Sequence, residues 1–331
     1  MRAHSAWKDS RADWGAVALR LRAHSPPGKL NFMCRMMFAA VAATLMTSSL
    51  GAQQVPGRDL YQFPVGTLAE APALASAAGG GFWNPATIAL AASDKLLFSA
   101  SALNSSHDQG VSSELATLAV RLRGGITAGA SMAMSGLSEL IRTDTDPQSI
   151  GDAIPYSSMV LSAVLAAERG PATLGIALRR RSGTVDLSSG RVRSVDVGAV
   201  LNRPAGLPFR AAVSSFLLSP ARNLERATGV AAAEAFLPIT KNDLRVGFSY
   251  QLDEGGGDDR YLYGSGRIGM LDLRGGMAQQ NAFGSTTTRM RLGLGLHYHR
   301  YIVGVASEDG TAGLGPTYQF LLTTVIPSIK Q

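Results

Sequence analysis

From Lys95 to the C-terminus, apolar side chains alternate with small or polar ones over many short stretches. Ala116, Leu118, Val120 and Leu122 share one side of their segment, with Thr117, Ala119 and Arg121 on the other. Ile126 to Met134, Leu174 to Leu178, Leu244 to Tyr250 and Met290 to Tyr298 repeat the pattern. Side chains project alternately from an extended backbone, so each segment reads as a strand with one oily face and one small or polar face. Turn signals part them: RGG at 123–125, ERGPA at 168–172, SSG at 188–190, RPAG at 203–206, DEGGGDD at 253–259 and EDGTAG at 308–313. The pattern predicts strands at 95–104, 112–122, 125–135, 156–167, 171–182, 190–202, 207–218, 225–237, 242–253, 258–268, 270–279, 287–298, 299–307 and 315–327.

That makes about fourteen strands of roughly 8–13 residues, near the ~9–11 that a tilted strand needs to cross a bilayer. A secreted sandwich or solenoid also alternates, but soluble strands usually run only about five or six residues. The second face here is rich in Gly, Ala, Ser, Thr and Arg, which suits a barrel interior. Tyr61, Phe63, Tyr156, Phe216, Phe236, Tyr250, Tyr261, Tyr263, Tyr298, Tyr301 and Tyr318 lie near segment ends, where interfacial girdles are expected. In hydrocarbon every backbone donor and acceptor needs an internal partner, and closure supplies it. The fold class is therefore all-β: a transmembrane antiparallel β-barrel of about 14 strands, over 95–331.

Composition agrees. Only 17% of residues are charged, 46% are hydrophobic, and Gly accounts for 37 of 331. The apolar run near 36–46 is too short for a membrane-spanning helix of ~20 residues. The net charge of +7 is misleading. Seven basic and two acidic residues fall within 1–35, leaving 24 basic and 22 acidic from Gln53 onward. The basicity belongs to a leader, so nucleic acid is not an expected partner. After Arg35 come MMFAAVAATLM, TSSLGA and QQ, the layout of a secretory signal peptide, with cleavage expected between Ala52 and Gln53. Met33, Met36 or Met37 is an alternative start, and a short membrane anchor is the alternative reading of the run. Residues 1–52 are thus read as a leader that directs export to the outer membrane of a Gram-negative-type bacterium. Its Cys34 is the chain's one cysteine, so the exported part must hold together by packing and backbone pairing.

Residues 53–94 differ from the rest. LAEAPALASAAGGG at 68–81 predicts a short helix ending at the glycines, before FWNPA at 82–86. GGGFWNPATIAL at 79–90 resembles the Asn-Pro-Ala signature near the mature N-terminus of FadL-like outer-membrane proteins, including the PorV/PorQ-type branch. IRTDTDPQSIGDAIPYSSMVLSAVLAAERG at 141–170 and GIALRRRSGTVDLSSGRVRSVDVGAVLNRP at 175–204 are similar to that branch in layout, the latter through Asp196, Gly198 and Val200. The resemblance spans most of 55–331, through short motifs. It implies fourteen strands with 53–94 inside the lumen as a hatch or plug, and passive transport of small, hydrophobic molecules. It also implies an alternative role, as an outer-membrane partner or anchor for secreted proteins or secretion components, through loops 105–112, 139–155 and 253–259. Thr87 stands where the family commonly has Gly, and the C-terminal PSIKQ lacks a terminal aromatic, so Phe320 is the candidate for an assembly signal.

The hatch candidates for a ligand path are Gly79, Gly80, Gly81, Phe82, Trp83, Asn84 and Pro85. The glycines permit tight turns, the two rings offer apolar surface, and Asn before Pro favours a turn. An apolar pocket is expected beside 79–90; a rigid structural plug is the competing reading. Alternation assigns Arg121, Arg179, Asp196, Arg210, Glu234, Arg245, Arg267 and Arg291 to the lumen, where mutual pairing is favoured over a selectivity ring. The run Arg179, Arg180, Arg181 breaks the alternation and reads as a strand end in the headgroup zone. His297 and His299 share a face as two imidazoles without a third ligand, so no metal is expected. No G-x-S-x-G elbow, phosphate-cradling loop or paired-cysteine site occurs, and neither enzyme activity nor a cofactor is expected. Outer-membrane lipid is the expected surround.

Overall fold

Each strand pairs antiparallel with its neighbour in the chain, and the last returns to the first. This computed structural model describes residues 57–61, 64–76, 79–91, 96–106, 110–138, 154–218, 228–238, 243–252, 257–282, 285–310 and 315–326. The leader 1–52, the Ala52–Gln53 junction, Phe63, part of loop 105–112, and most of loops 139–155 and 253–259 lie outside the described residues. The strands are β1 (Leu96–Asn104), β2 (Val111–Arg121), β3 (Ile126–Leu137), β4 (Tyr156–Arg169), β5 (Ala172–Val185), β6 (Ser188–Asn202) and β7 (Phe209–Leu218). They continue as β8 (Thr228–Leu237), β9 (Leu244–Leu252), β10 (Asp258–Ile268), β11 (Leu271–Ala282), β12 (Ser285–Tyr298), β13 (Tyr301–Glu308) and β14 (Thr317–Ile326). β1 pairs β14 from Leu96↔Ile326 to Asn104↔Tyr318, which closes the barrel.

The two faces differ as alternation requires. Leu118, Leu165, Leu178, Leu262 and Leu292 point outward and are exposed, whereas Ser99, Thr117, Ser131 and Ser249 point inward and are buried. A greasy exterior over a ladder without free edges is a membrane-spanning barrel. At one end every connection is short, as at Arg123–Gly125, Pro204–Gly206 and the pair 269–270. The longest connection, from β3 to β4, lies at the other end. Short turns mark the periplasmic end of such barrels.

Several expectations are corrected. The Arg179–Arg181 run is not a strand end: it lies in the middle of β5, paired with Ser162, Leu161 and Val160. Arg179 and Arg181 are buried inside while Arg180 faces out, so the run keeps the alternation with charge on both faces. SSG at 188–190 is strand; the turn is Asp186–Leu187, with Asp186 at φ +54°. Tyr61, Phe216, Tyr261 and Tyr263 are buried within the barrel rather than set in a girdle, whereas Tyr298, Tyr301 and Tyr318 are exposed on the outside. His299 is in the β12–β13 turn at φ +52°, so it does not share the inward face of His297.

The helix expected over 68–81 does not form. Leu68 and Ala69 have left-handed backbones (φ +50° and +61°), and Pro72 opens a single 3-10 turn, Pro72–Leu74. Tertiary burial overrides alanine's helix preference here, since Ala71, Ala73, Leu74 and Ala75 are all buried. The segment threads the lumen as short turns at Asp59–Tyr61, Pro72–Leu74 and Pro85–Thr87, then one α-helical turn, Ile88–Ala91.

Candidate functional site: the luminal plug and its seat

The tip of the plug is built by local hydrogen bonds. Gly79 N–H donates to Gly66 O (2.9 Å), Phe82 N–H donates to Gly79 O (3.0 Å), and Gly81 takes φ +80°, which suits a residue without Cβ. Asn84 caps the following turn: its Oδ1 accepts from Ala86 N–H at 3.0 Å, and Pro85 occupies the first position, where no N–H is required. Thr87 has a structural task. Its hydroxyl donates to Asn84 O (2.8 Å) and accepts from Gly81 N–H (3.3 Å), tying both sides of the Phe82–Trp83 bend. The Asn84 amide donates to Ala73 O at 2.9 Å and lies 3.4 Å from Ala199 O and 3.5 Å from Val213 O.

The wall makes room with three inward glycines. A Cβ on Gly198 would sit 2.0 Å from Asn84 Oδ1, one on Gly175 would sit 2.3 Å from Ala86 N, and one on Gly129 would sit 2.1 Å from Ile88 Cδ1. No side chain fits at these distances. The glycines of β3, β5 and β6 therefore form a seat cut to Asn84–Ile88.

Above that seat lies a buried ionic and aromatic centre. Arg179 Nε pairs with Asp196 Oδ2, and its guanidinium also donates to Ser162 Oγ (2.9 Å), Gly81 O (3.3 Å) and Phe82 O. Asp196 Oδ2 accepts from the Tyr61 hydroxyl (3.3 Å), while Oδ1 accepts from Leu217 N–H (3.0 Å). The last contact sits at an irregularity: between Val195 and Val197 the β6–β7 register shifts from Leu218 to Ser215. Leu217 adopts φ +66°, and both Phe216 and Leu217 are buried. The bulge brings the Phe216 ring onto Tyr61 (4.9 Å between centroids), and Tyr61 stacks on Phe82 at 5.1 Å. Trp83 meets Tyr61 edge-on at 6.0 Å, and its Nε1–H donates to Val65 O (2.9 Å). Burial pushes the Tyr61 hydroxyl well above the ordinary phenol range.

The remaining lumen charges are also paired. Arg121 meets Glu168 at 2.8 Å and Ala89 O at 3.1 Å. Glu234 holds Arg210 (2.8 Å), Arg245 (3.7 Å) and the Tyr263 hydroxyl (3.0 Å). Arg267 meets Asp272 at 3.0 Å, and Asp272 also accepts from His297. Arg291 binds Glu308 and Asp259, each at 2.8 Å. Arg274, from the wall, reaches Glu70 of the plug at 3.1 Å.

The structure thus brings Gly81, Phe82, Asn84, Arg179 and Asp196 together, and leaves Arg121, Arg267 and Arg291 in separate ion pairs. The space beside 79–90, where an apolar pocket is expected, is filled: Phe82, Trp83, Asn84, Ala86 and Thr87 are all buried. Sequence reasoning missed Phe216 as a plug contact and Leu217 as a partner of Asp196. The signal was present, because Phe216, Leu217 and Leu218 are three consecutive large apolar residues within an alternating strand.

No protein-family model and no curated protein matches the chain. Among solved structures, it is similar to a "CymD monoaromatic hydrocarbon channel", with 11% identity, TM-score 0.54, and coverage of 79% of this chain and 97% of that one. It is also similar to a mutant of the Rh. blastica porin, with 13% identity, TM-score 0.40, and coverage of 70% and 99%.

Proposed function

We propose that the chain is an outer-membrane transporter of FadL/PorV type, passing small hydrophobic molecules by displacement of the Gly79–Pro85 hatch. One observation carries this reading: the hatch is held by side-chain and local contacts, while the barrel's ladder closes without it. The hatch can therefore move while every strand hydrogen bond stays in place. Phe82, Trp83, Tyr61 and Phe216 then offer an aromatic surface to a solute of matching chemistry. The fold shared with a monoaromatic hydrocarbon channel supports the same class of solute. The paired lumen charges are read as structural rather than as a selectivity ring, and exported residues 53–94 as the hatch unit.

The test is uptake of a labelled monoaromatic hydrocarbon by cells with and without the protein in their outer membrane. Faster uptake with the protein, and a further change on removing residues 79–91, is expected. Uptake equal to that of cells lacking the protein overturns the reading.

A further inference from the structure

The outer face of β1–β6 carries a second built feature, independent of what crosses the lumen. An apolar trough of about 590 Å³ runs along it. The register explains its shape. Ala130 and Ala163 are direct neighbours across β3 and β4, with Leu118 on one side and Leu178 on the other. Two alanines between two leucines leave a dent in an otherwise greasy wall. The next row toward the loop end runs Met132, Leu161, Arg180, Arg193. Arg180 and Arg193 belong to the trough's rim and also line an adjoining hollow of about 310 Å³ with Arg191 and Val192.

Arg180 and Arg193 are directly opposite across the β5–β6 ladder, and Arg191 follows two positions along the same face. Like charges directly opposed destabilise a sheet, and long side chains on a lipid-facing wall place their charged ends at the headgroups. On both strands the outward apolar run stops here. Leu174, Ile176 and Leu178 give way to Arg180, Ser182 and Thr184, while Val197 and Val195 give way to Arg193, Arg191 and Ser189. The arginines therefore stand at the apolar belt's upper edge, at the end opposite the short turns.

We infer that this face binds a phosphorylated lipid of the outer leaflet, with acyl chain in the Ala130–Ala163 trough and headgroup phosphate on Arg180, Arg191 and Arg193. Guanidinium groups recognise phosphate through paired N–H donors, and a dented alkyl surface ending at such a cluster matches one amphiphile, not a free anion. The test uses the full mature protein in detergent. Binding of lipid A is compared with that of the same lipid after removal of its phosphates, with inorganic phosphate as competitor. At least a tenfold preference for the phosphorylated lipid is expected, with no displacement by millimolar phosphate. The triple variant R180Q, R191Q, R193Q loses the preference while keeping heat-modifiable migration. Equal binding of the two lipids by the unaltered protein overturns the inference even if the variant fails to fold. So does displacement by inorganic phosphate, or a preference that survives in the folded variant.

Discussion

Asp196 shows how much one side chain can organise. Its two oxygens take the Arg179 guanidinium, the Tyr61 hydroxyl and the strained Leu217 amide, linking plug, β5 and the β7 bulge. Removing one partner of a buried pair leaves the other charge uncompensated, at a cost of about 3–5 kcal/mol. Asp196→Asn is expected to lower the urea midpoint accordingly in detergent, and an unchanged midpoint counts against the pair's role. The seat glycines give a sharper contrast. Gly198→Ala drives a Cβ into Asn84, whereas on the outer face a Cβ at Gly264 would meet only Arg245 O, at 3.8 Å. Limited proteolysis is expected to cut the 79–91 segment faster in Gly198→Ala than in Gly264→Ala. At this scale much was legible. Alternation places Arg121, Arg210, Glu234, Arg245 and Arg291 on the inward face, because period two fixes sidedness wherever register is regular. It could not show which carboxylate each arginine meets, since cross-barrel partners depend on register and tilt. Nor could it find Phe216 on Tyr61, because a bulge suspends the very rule being used.

Among elements, the strands were readable and the plug was not. All fourteen expected segments overlap observed strands, since each must bury one face and show the other to lipid. The errors fall where local signals competed. Ser188–Gly190 looks like a turn, yet β5 and β6 pair through it as far as Val185↔Ser188. The 68–81 stretch has alanines enough for a helix, but its conformation is dictated by the cavity it fills. The strand ladder closes without any plug strand, which makes the segment separable from the wall. A chain lacking residues 57–91 is expected to retain the slow-migrating to fast-migrating shift on unboiled gels that marks a closed barrel. Loss of that shift assigns the plug a part in holding the wall shut. Asn84→Ala tests the same boundary more gently. Losing its bonds to Ala73 O and Ala86 N–H should cost about 1–3 kcal/mol, seen as earlier release of the segment to protease in a urea series.

The barrel presents two distinct surfaces to two solvents, and its lumen is largely occupied. The groups that hold Gly79–Ala91 are not spread around the circumference. Arg121, Gly129, Gly175, Arg179, Gly198, Val213 and Phe216 all belong to β2–β7. The plug itself precedes β1 in the chain. The tip and its whole docking half therefore lie in one unbroken stretch of sequence that ends before β8. Seating the plug thus closes shorter loops of chain, at a lower entropic cost, than a seat on β8–β14 would require.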